Sequence, residues 1–135
     1  MRTGVLAHEA SLEQAVVTTW SDNLHLLPAG HLSGSPVALM GNGNVKALMA
    51  QVLAEYRFVV IDTPPVLAAS ESLILSSAAD VTLLCVMCEV SRADQVQRAY
   101  KRLLLSGSHN VGLVFNGVPT NQYQSRYGKY PYPAS

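Results

Sequence analysis

The 135 residues suffice for one domain with a real core and fall short of two. Hydrophobic residues make up 49% and charged residues 13%, against roughly 25% charged in an average domain, so the chain must bury much of its surface or hand some to a partner. With a formal net charge of +0 there is no overall field to draw in nucleic acid or anionic lipid.

Cys85 and Cys88 are spaced like a redox pair but lie inside the apolar run 81–88. Strand positions three apart point to opposite faces, so the two read as buried apolar residues. His8, His25, His31 and His109 share no metal-ligand spacing. No apolar run approaches the roughly 18–20 residues of a membrane helix, and the N-terminus does not resemble a signal peptide. The chain reads as soluble and cytoplasmic.

Residues 1–10 are loosely amphipathic. Ser11-Leu12-Glu13-Gln14 has the capping-box pattern and predicts a helix to about Thr18, with Trp20-Ser21-Asp22-Asn23 as a turn. Residues 24–27 read as a short strand ended by Pro28-Ala29-Gly30, and a polar loop runs through Ser35-Pro36. Gly41-Asn42-Gly43-Asn44 suggests a phosphate loop, but no Gly-Lys-Ser/Thr follows, so these are turn and cap residues. Val45, Leu48, Met49, Val52 and Leu53 then recur at the spacing of a helix packed on a sheet.

Residues 58–61 (Phe58-Val59-Val60-Ile61) form a continuous apolar run, short and β-branched. This predicts a strand buried on both faces of a parallel sheet. Asp62 leaves its carboxyl end, and Pro64 and Pro65 end the strand because neither can donate to a ladder. An acid there lies where open α/β sheets place ligands, and in nucleotide-phosphate enzymes such an acid orients the water shell of Mg²⁺. A turn-capping role for Asp62 fits the same residues.

Residues 71–79 read as a short helix and 81–87 as a second buried strand. Ser91 is placed as the cap of a helix over 92–106, with Val96, Tyr100, Leu103 and Leu104 inward and Gly107 at its end. Residues 111–115 form the third buried strand, delivering Asn116-Gly117. The alternation predicts an α/β fold, a mostly parallel sheet with flanking helices. Asp62, the segment from Glu89 to Arg92, and Asn116 then exit on one rim.

The segment from Pro119 to Ser135 has no apolar periodicity and holds Tyr123, Tyr127, Tyr130 and Tyr132, four of the six tyrosines. Arg126 and Lys129 are its only charges. It reads as a disordered tail whose phenols are either low-complexity filler or sites for modification.

Leu27-Pro28-Ala29-Gly30, the helix before Phe58, Val60-Ile61-Asp62-Thr63-Pro64-Pro65-Val66, Asn116-Gly117-Val118 and the tyrosine tail occur in one characteristic order. The chain resembles the bacterial tyrosine kinases (BY-kinases) of capsular and exopolysaccharide synthesis, relatives of the MinD/ParA-like P-loop ATPases. The resemblance covers nearly all of the chain and implies a P-loop NTPase (Rossmann-like) fold using ATP and Mg²⁺. It makes the Asp-Thr-Pro-Pro stretch a Walker B motif, with Asp62 catalytic and holding the metal through water. It puts Asp62, Thr63, Arg92 and Asn116 on the nucleotide, Asn116 against the adenine. The four tail tyrosines become phosphoacceptors. The implied partners are an upstream nucleotide-binding half, a membrane polysaccharide co-polymerase (chain-length regulator) at the inner face of the cell membrane, and further copies in a ring.

The departures from the family pattern are specific. No Walker A loop with Lys-Ser/Thr and no Asp-x-Asp-x-Arg occurs in these 135 residues. Gly34-Ser35-Pro36 stands where the family usually has Pro-Asn-Pro, and Glu71 where Asp is commoner. Residues 1–118 thus resemble a partial kinase domain, and 119–135 its tail. In the related folds the P-loop strand lies between the Walker B strand and the next, so this sheet should be incomplete, with open edges at 58–61 and 81–87. The kinase portion, inactive alone, is weighed against a non-catalytic interaction module with a phosphorylatable tail, and against a MinD/ParA-like ATPase relative.

Overall fold

Local chemistry sets most elements of the computed structural model, which describes residues 4–30, 34–41 and 43–119. The capping box closes in both directions: Ser11 Oγ accepts from the Gln14 N–H at 3.3 Å, and Gln14 Oε1 accepts from the Ser11 N–H at 3.2 Å. Helix α1 (Leu12–Ala15) nevertheless stops short of Thr18. Val16, Val17, Thr18 and Thr19 are all β-branched, and such side chains favour the strand. Strand β1 (Val17–Ser21) pairs antiparallel with β2 (Leu24–Leu26) around a turn at Asp22-Asn23, a hairpin the helical reading had hidden.

Pro36 opens a short helix α2 (Pro36–Met40) inside what reads as loop. Gly43, with φ of +81°, is the N-cap of α3 (Asn44–Glu55), a left-handed conformation that suits glycine. Val45 and Val52 are buried and Leu48 and Met49 half-buried, as the stripe predicts, whereas Leu53 is exposed. Helix α4 (Glu71–Ala78) and strand β3 (Thr82–Met87) follow, then α5 (Ala93–Leu105) and β4 (Val111–Asn116).

Strands β3 and β4 form a parallel ladder in unbroken register, from Thr82 opposite Val111 to Met87 opposite Asn116. Helix α5 packs on β4 and on α4, and α4 also meets α2 and α3. Leu103, with 0% of its surface exposed, sits at the centre of this packing, alongside Ala99 and Val86. Tyr100 and Leu104, expected inward with Leu103, are exposed. Gly107, at φ +93°, follows the end of α5 as expected.

The largest difference from expectation lies at residues 58–61. Tyr56 ends α3, and the chain beyond it joins no ladder among the described residues. Phe58 is 80% and Val60 96% exposed, so the segment is not the doubly buried strand its composition predicts. A strand is buried on both faces only inside a sheet covered on both sides, and among the described residues β3 and β4 pair with each other and not with this segment. The mostly parallel sheet is therefore reduced to one parallel pair beside one hairpin. Strand β3 is half-covered rather than buried on both faces: Leu83 and Met87 are exposed. Cys85 is exposed and Cys88 half-buried, against the expectation of two buried apolar cysteines.

Candidate functional site

Because β3 and β4 run parallel and in register, both carboxyl ends lie on one edge, and that edge carries two of the three expected exits. Beyond Met87 the chain turns sharply. The Met87 carbonyl accepts from Val90 N–H at 3.3 Å and Ser91 N–H at 2.9 Å. Ser91 Oγ accepts from the Met87 N–H at 3.0 Å. Ser91 therefore closes the turn and does not cap α5, whose N-cap is Arg92 without a side-chain cap bond. Glu89 takes φ of +62° within the turn, uncommon for a residue with a Cβ. The Cys88 N–H donates to the Asn116 carbonyl at 2.8 Å, fastening the turn to the end of β4. Just beyond, Gly117 has φ +70°, and a Cβ on it would lie 2.6 Å from Met87 Sδ.

Arg92 and Asn116 are both exposed on this edge. The Arg92 guanidinium pairs with Asp94 at 3.5 Å, in the open. The Asn116 side-chain amide has no hydrogen-bond partner among the described residues, so it is free to meet a ligand. Asp62 and Thr63 are exposed too, but they are not a sheet exit. They lie on the loop between the unpaired segment and α4, and the Asp62 carboxylate has no partner among the described residues. The structure thus puts the Glu89–Arg92 turn and Asn116 at one edge of the β3–β4 pair and leaves Asp62 and Thr63 outside that ladder. Tyr123, Tyr127, Tyr130 and Tyr132 lie outside the described residues.

Downstream of Asp62 the loop is firmly held. Ser72 Oγ donates to the Pro64 carbonyl at 2.6 Å. Arg102 Nη1 donates to the Val66 and Leu67 carbonyls at 3.4 Å each. The Ala68 and Ala69 N–H groups both return to the Pro65 carbonyl, at 2.9 and 3.1 Å. None of these anchors was read from the sequence. The available signal was Ser72 and Ser76, four apart and so on one face of an otherwise apolar helix.

Tested against Mg²⁺ and ATP, the residues present fit only in part. Mg²⁺ keeps several waters and takes one or two carboxylates plus phosphate oxygens, and a solvent-facing Asp62 suits the carboxylate role. No cluster of three or more candidate metal ligands occurs among the described residues, and none of their loops forms a glycine-rich phosphate cradle. The nucleotide site is not completed by these residues.

A family model described as an AAA domain matches residues 2–104. The chain belongs to this family. The curated relatives it resembles are named as bacterial tyrosine-protein kinases, in agreement with the resemblance read from the sequence. Tyrosine-protein kinase YwqD of Bacillus subtilis (strain 168) is 31% identical over 128 residues, which is 95% of this chain and 54% of that protein. Among solved structures, the kinase domain of the Escherichia coli tyrosine kinase ETK superposes with a TM-score of 0.79 at 22% identity, covering 96% of this chain and 49% of that one. The VpsO kinase domain superposes with a TM-score of 0.77 at 30% identity, covering 87% of this chain and 58% of that one. The chain therefore spans about half the length of YwqD and of these kinase domains, and 18% of the putative tyrosine-protein kinase EpsB of Ralstonia nicotianae, to which it is 33% identical over 132 residues. No helix among the described residues is long and apolar enough to cross a membrane.

Proposed function

We propose that these residues are the C-terminal portion of an ATP-dependent protein-tyrosine autokinase regulating capsular or exopolysaccharide polymerisation and export. In this reading the portion is inactive until joined to a nucleotide-binding half. It works at the inner face of the membrane through a polysaccharide co-polymerase partner. The observation that carries the reading is the segment 58–61: a strand-forming apolar run, open to solvent, that leads directly into Asp62. Side chains such as Phe58 and Val60 each gain about 1.5–3 kcal/mol on full burial, so the incoming half has a ready driving force. Docking a strand against residues 58–61 would bring Asp62 to the edge that already carries Arg92 and Asn116. YwqD and the ETK kinase domain are about twice as long as this chain, which supports a second half of the needed size.

The test compares the 135-residue chain with the same sequence joined to its nucleotide-binding half. The joined protein should accumulate phosphotyrosine, and Asp62→Asn should abolish most of it while leaving the fold intact, since the change keeps size and removes charge. The chain alone should not bind ATP tighter than about 1 mM, or about 4 kcal/mol. Tighter binding by the chain, or survival of activity in Asp62→Asn, overturns the reading. The second reading, a non-catalytic interaction module, rests on the missing phosphate cradle. An in-frame Gly-x-x-x-x-Gly-Lys-Ser/Thr encoded upstream of Met1 would count against it.

A further inference from the structure

We propose that Ser72 is a positioning residue for Asp62. Its buried hydroxyl holds the carbonyl two residues downstream of the acid and so fixes where the carboxylate stands when the segment 58–61 enters a sheet. The contact itself is independent of the kinase reading; its meaning for Mg²⁺ rests on that reading.

Three observations converge on it. Ser72 is 2% exposed, and its Oγ donates at 2.6 Å to the Pro64 carbonyl rather than back into its own helix. The other α4 hydroxyls behave differently. Ser77 Oγ turns back to the Ile74 carbonyl at 2.8 Å. Ser76 Oγ donates to Leu73 and accepts from Ser108 Oγ at 2.8 Å, which ties α4 to the loop before β4. Ser72 is thus the α4 hydroxyl spent on the Asp62 loop. Finally, Pro64 and Pro65 have no N–H, so at these two positions the backbone can be held only through its carbonyls. Ser72 takes the Pro64 carbonyl and the Ala68 and Ala69 N–H groups that of Pro65, with Arg102 on the next two at Val66 and Leu67.

The consequence is asymmetric order. Upstream of Asp62 the chain is unpaired, whereas two residues downstream it is bolted to a helix that packs on α5. The loop is therefore preset before any partner arrives, and residues 58–63 are the part still without a ladder partner. Preset geometry of this kind matters for a water-mediated metal contact, where small displacements forfeit the hydrogen bond.

Two linked measurements test the proposal. In the 135-residue chain, Ser72→Ala should speed hydrogen exchange at the Ala68 and Ala69 amides. Loss of one hydroxyl–carbonyl bond corresponds to about a 2- to 10-fold faster local opening. Amides of the β3–β4 ladder should not change. Ser77→Ala removes a hydroxyl from the same helix without touching the loop and should leave Ala68 and Ala69 as they were. Equal effects of both variants, or none from Ser72→Ala, overturn the clamp. In the joined kinase, Ser72→Ala should raise the Mg²⁺ concentration for half-maximal activity and lower kcat with the KM for ATP unchanged. Ser72→Thr, which keeps the hydroxyl, should restore both. A faster-exchanging loop with an unmoved Mg²⁺ midpoint would make Ser72 structural only and overturn the positioning role. A wild-type joined protein without phosphotransfer would refute the kinase reading instead, and the exchange result would then decide the clamp by itself.

Discussion

Truncating Phe58 should have two quite different costs, depending on whether the nucleotide-binding half is present. In the chain alone the ring is 80% exposed, with the Arg57 guanidinium 5.5 Å from its centroid. A fully buried Phe→Ala change costs about 3–5 kcal/mol, so a ring with a fifth of its surface covered should lose about 0.5–1 kcal/mol. An exposed cation–π contact accounts for about 0.5 kcal/mol of that range. Val60, 96% exposed, should tolerate Val60→Ala within about 0.5 kcal/mol. On the proposed reading both side chains should enter a buried strand in the joined kinase. Phe58→Ala should then cost the full 3–5 kcal/mol, roughly, and Val60→Ala about 2 kcal/mol. Urea unfolding followed by circular dichroism reads the contrast directly. With a slope of about 1–3 kcal/mol per molar, Phe58→Ala should shift the joined protein's midpoint by about 1–5 M and that of the chain alone by about 0.2–1 M, a several-fold contrast at equal slope. A small shift in both proteins would mean that residues 58–61 never enter a sheet. A large shift in the isolated chain would mean that they are already packed there. Either result refutes the reasoning.

Gly117→Ala should destabilise the chain by more than about 1 kcal/mol, because φ of +70° is strained for alanine and its Cβ would meet Met87 Sδ at 2.6 Å. Adding Met87→Ala should recover the steric part and leave the backbone part, read from unfolding midpoints of the single and double variants. Changing Tyr123, Tyr127, Tyr130 and Tyr132 together to Phe should remove most phosphotyrosine from the joined kinase. The unmodified tail carries +2 from Arg126 and Lys129, and four phosphates would take it to about −4 to −6, enough to favour dissociation of an assembled ring. Mass spectrometry and sizing with and without ATP supply the readout, and phosphotyrosine content unchanged in the four-Phe variant would sink the switch.

What could be read from the residues was whatever short-range chemistry decides. The Val45-to-Val52 spacing, the Gly43 cap, the Ser11–Gln14 box and the β3–α5–β4 alternation each specify their own structure locally, and the structure follows them. Failures came where the deciding partner is distant. Phe58 to Ile61 has strand chemistry, but pairing is a property of two segments, and the second is not among the described residues. The cap at Ser11 and the turn residues from Trp20 extend the helical reading over Val16 to Thr18. The β-branched run and its cross-strand partners at Leu24 to Leu26 outweighed it. At the rim, Arg92 and Asn116 were legible as strand exits. The bond from Ser72 to Pro64 joins residues on separate elements, and no spacing rule announces it.

The outer edge of β3 has a kinetic consequence. Among the described residues its six residues of backbone are bonded to β4 on one side only, and an open edge accepts whichever strand reaches it first. A half tethered in the same polypeptide arrives at an effective concentration of about millimolar, set by the linker. A second copy of the chain arrives at its bulk concentration, and such edge-to-edge capture leads to aggregates at about micromolar and above. At low expression the tethered half wins this race by about three orders of magnitude, the ratio of those two concentrations. Were the halves made as separate chains, that advantage would vanish, and correct assembly would depend on how closely their synthesis is matched.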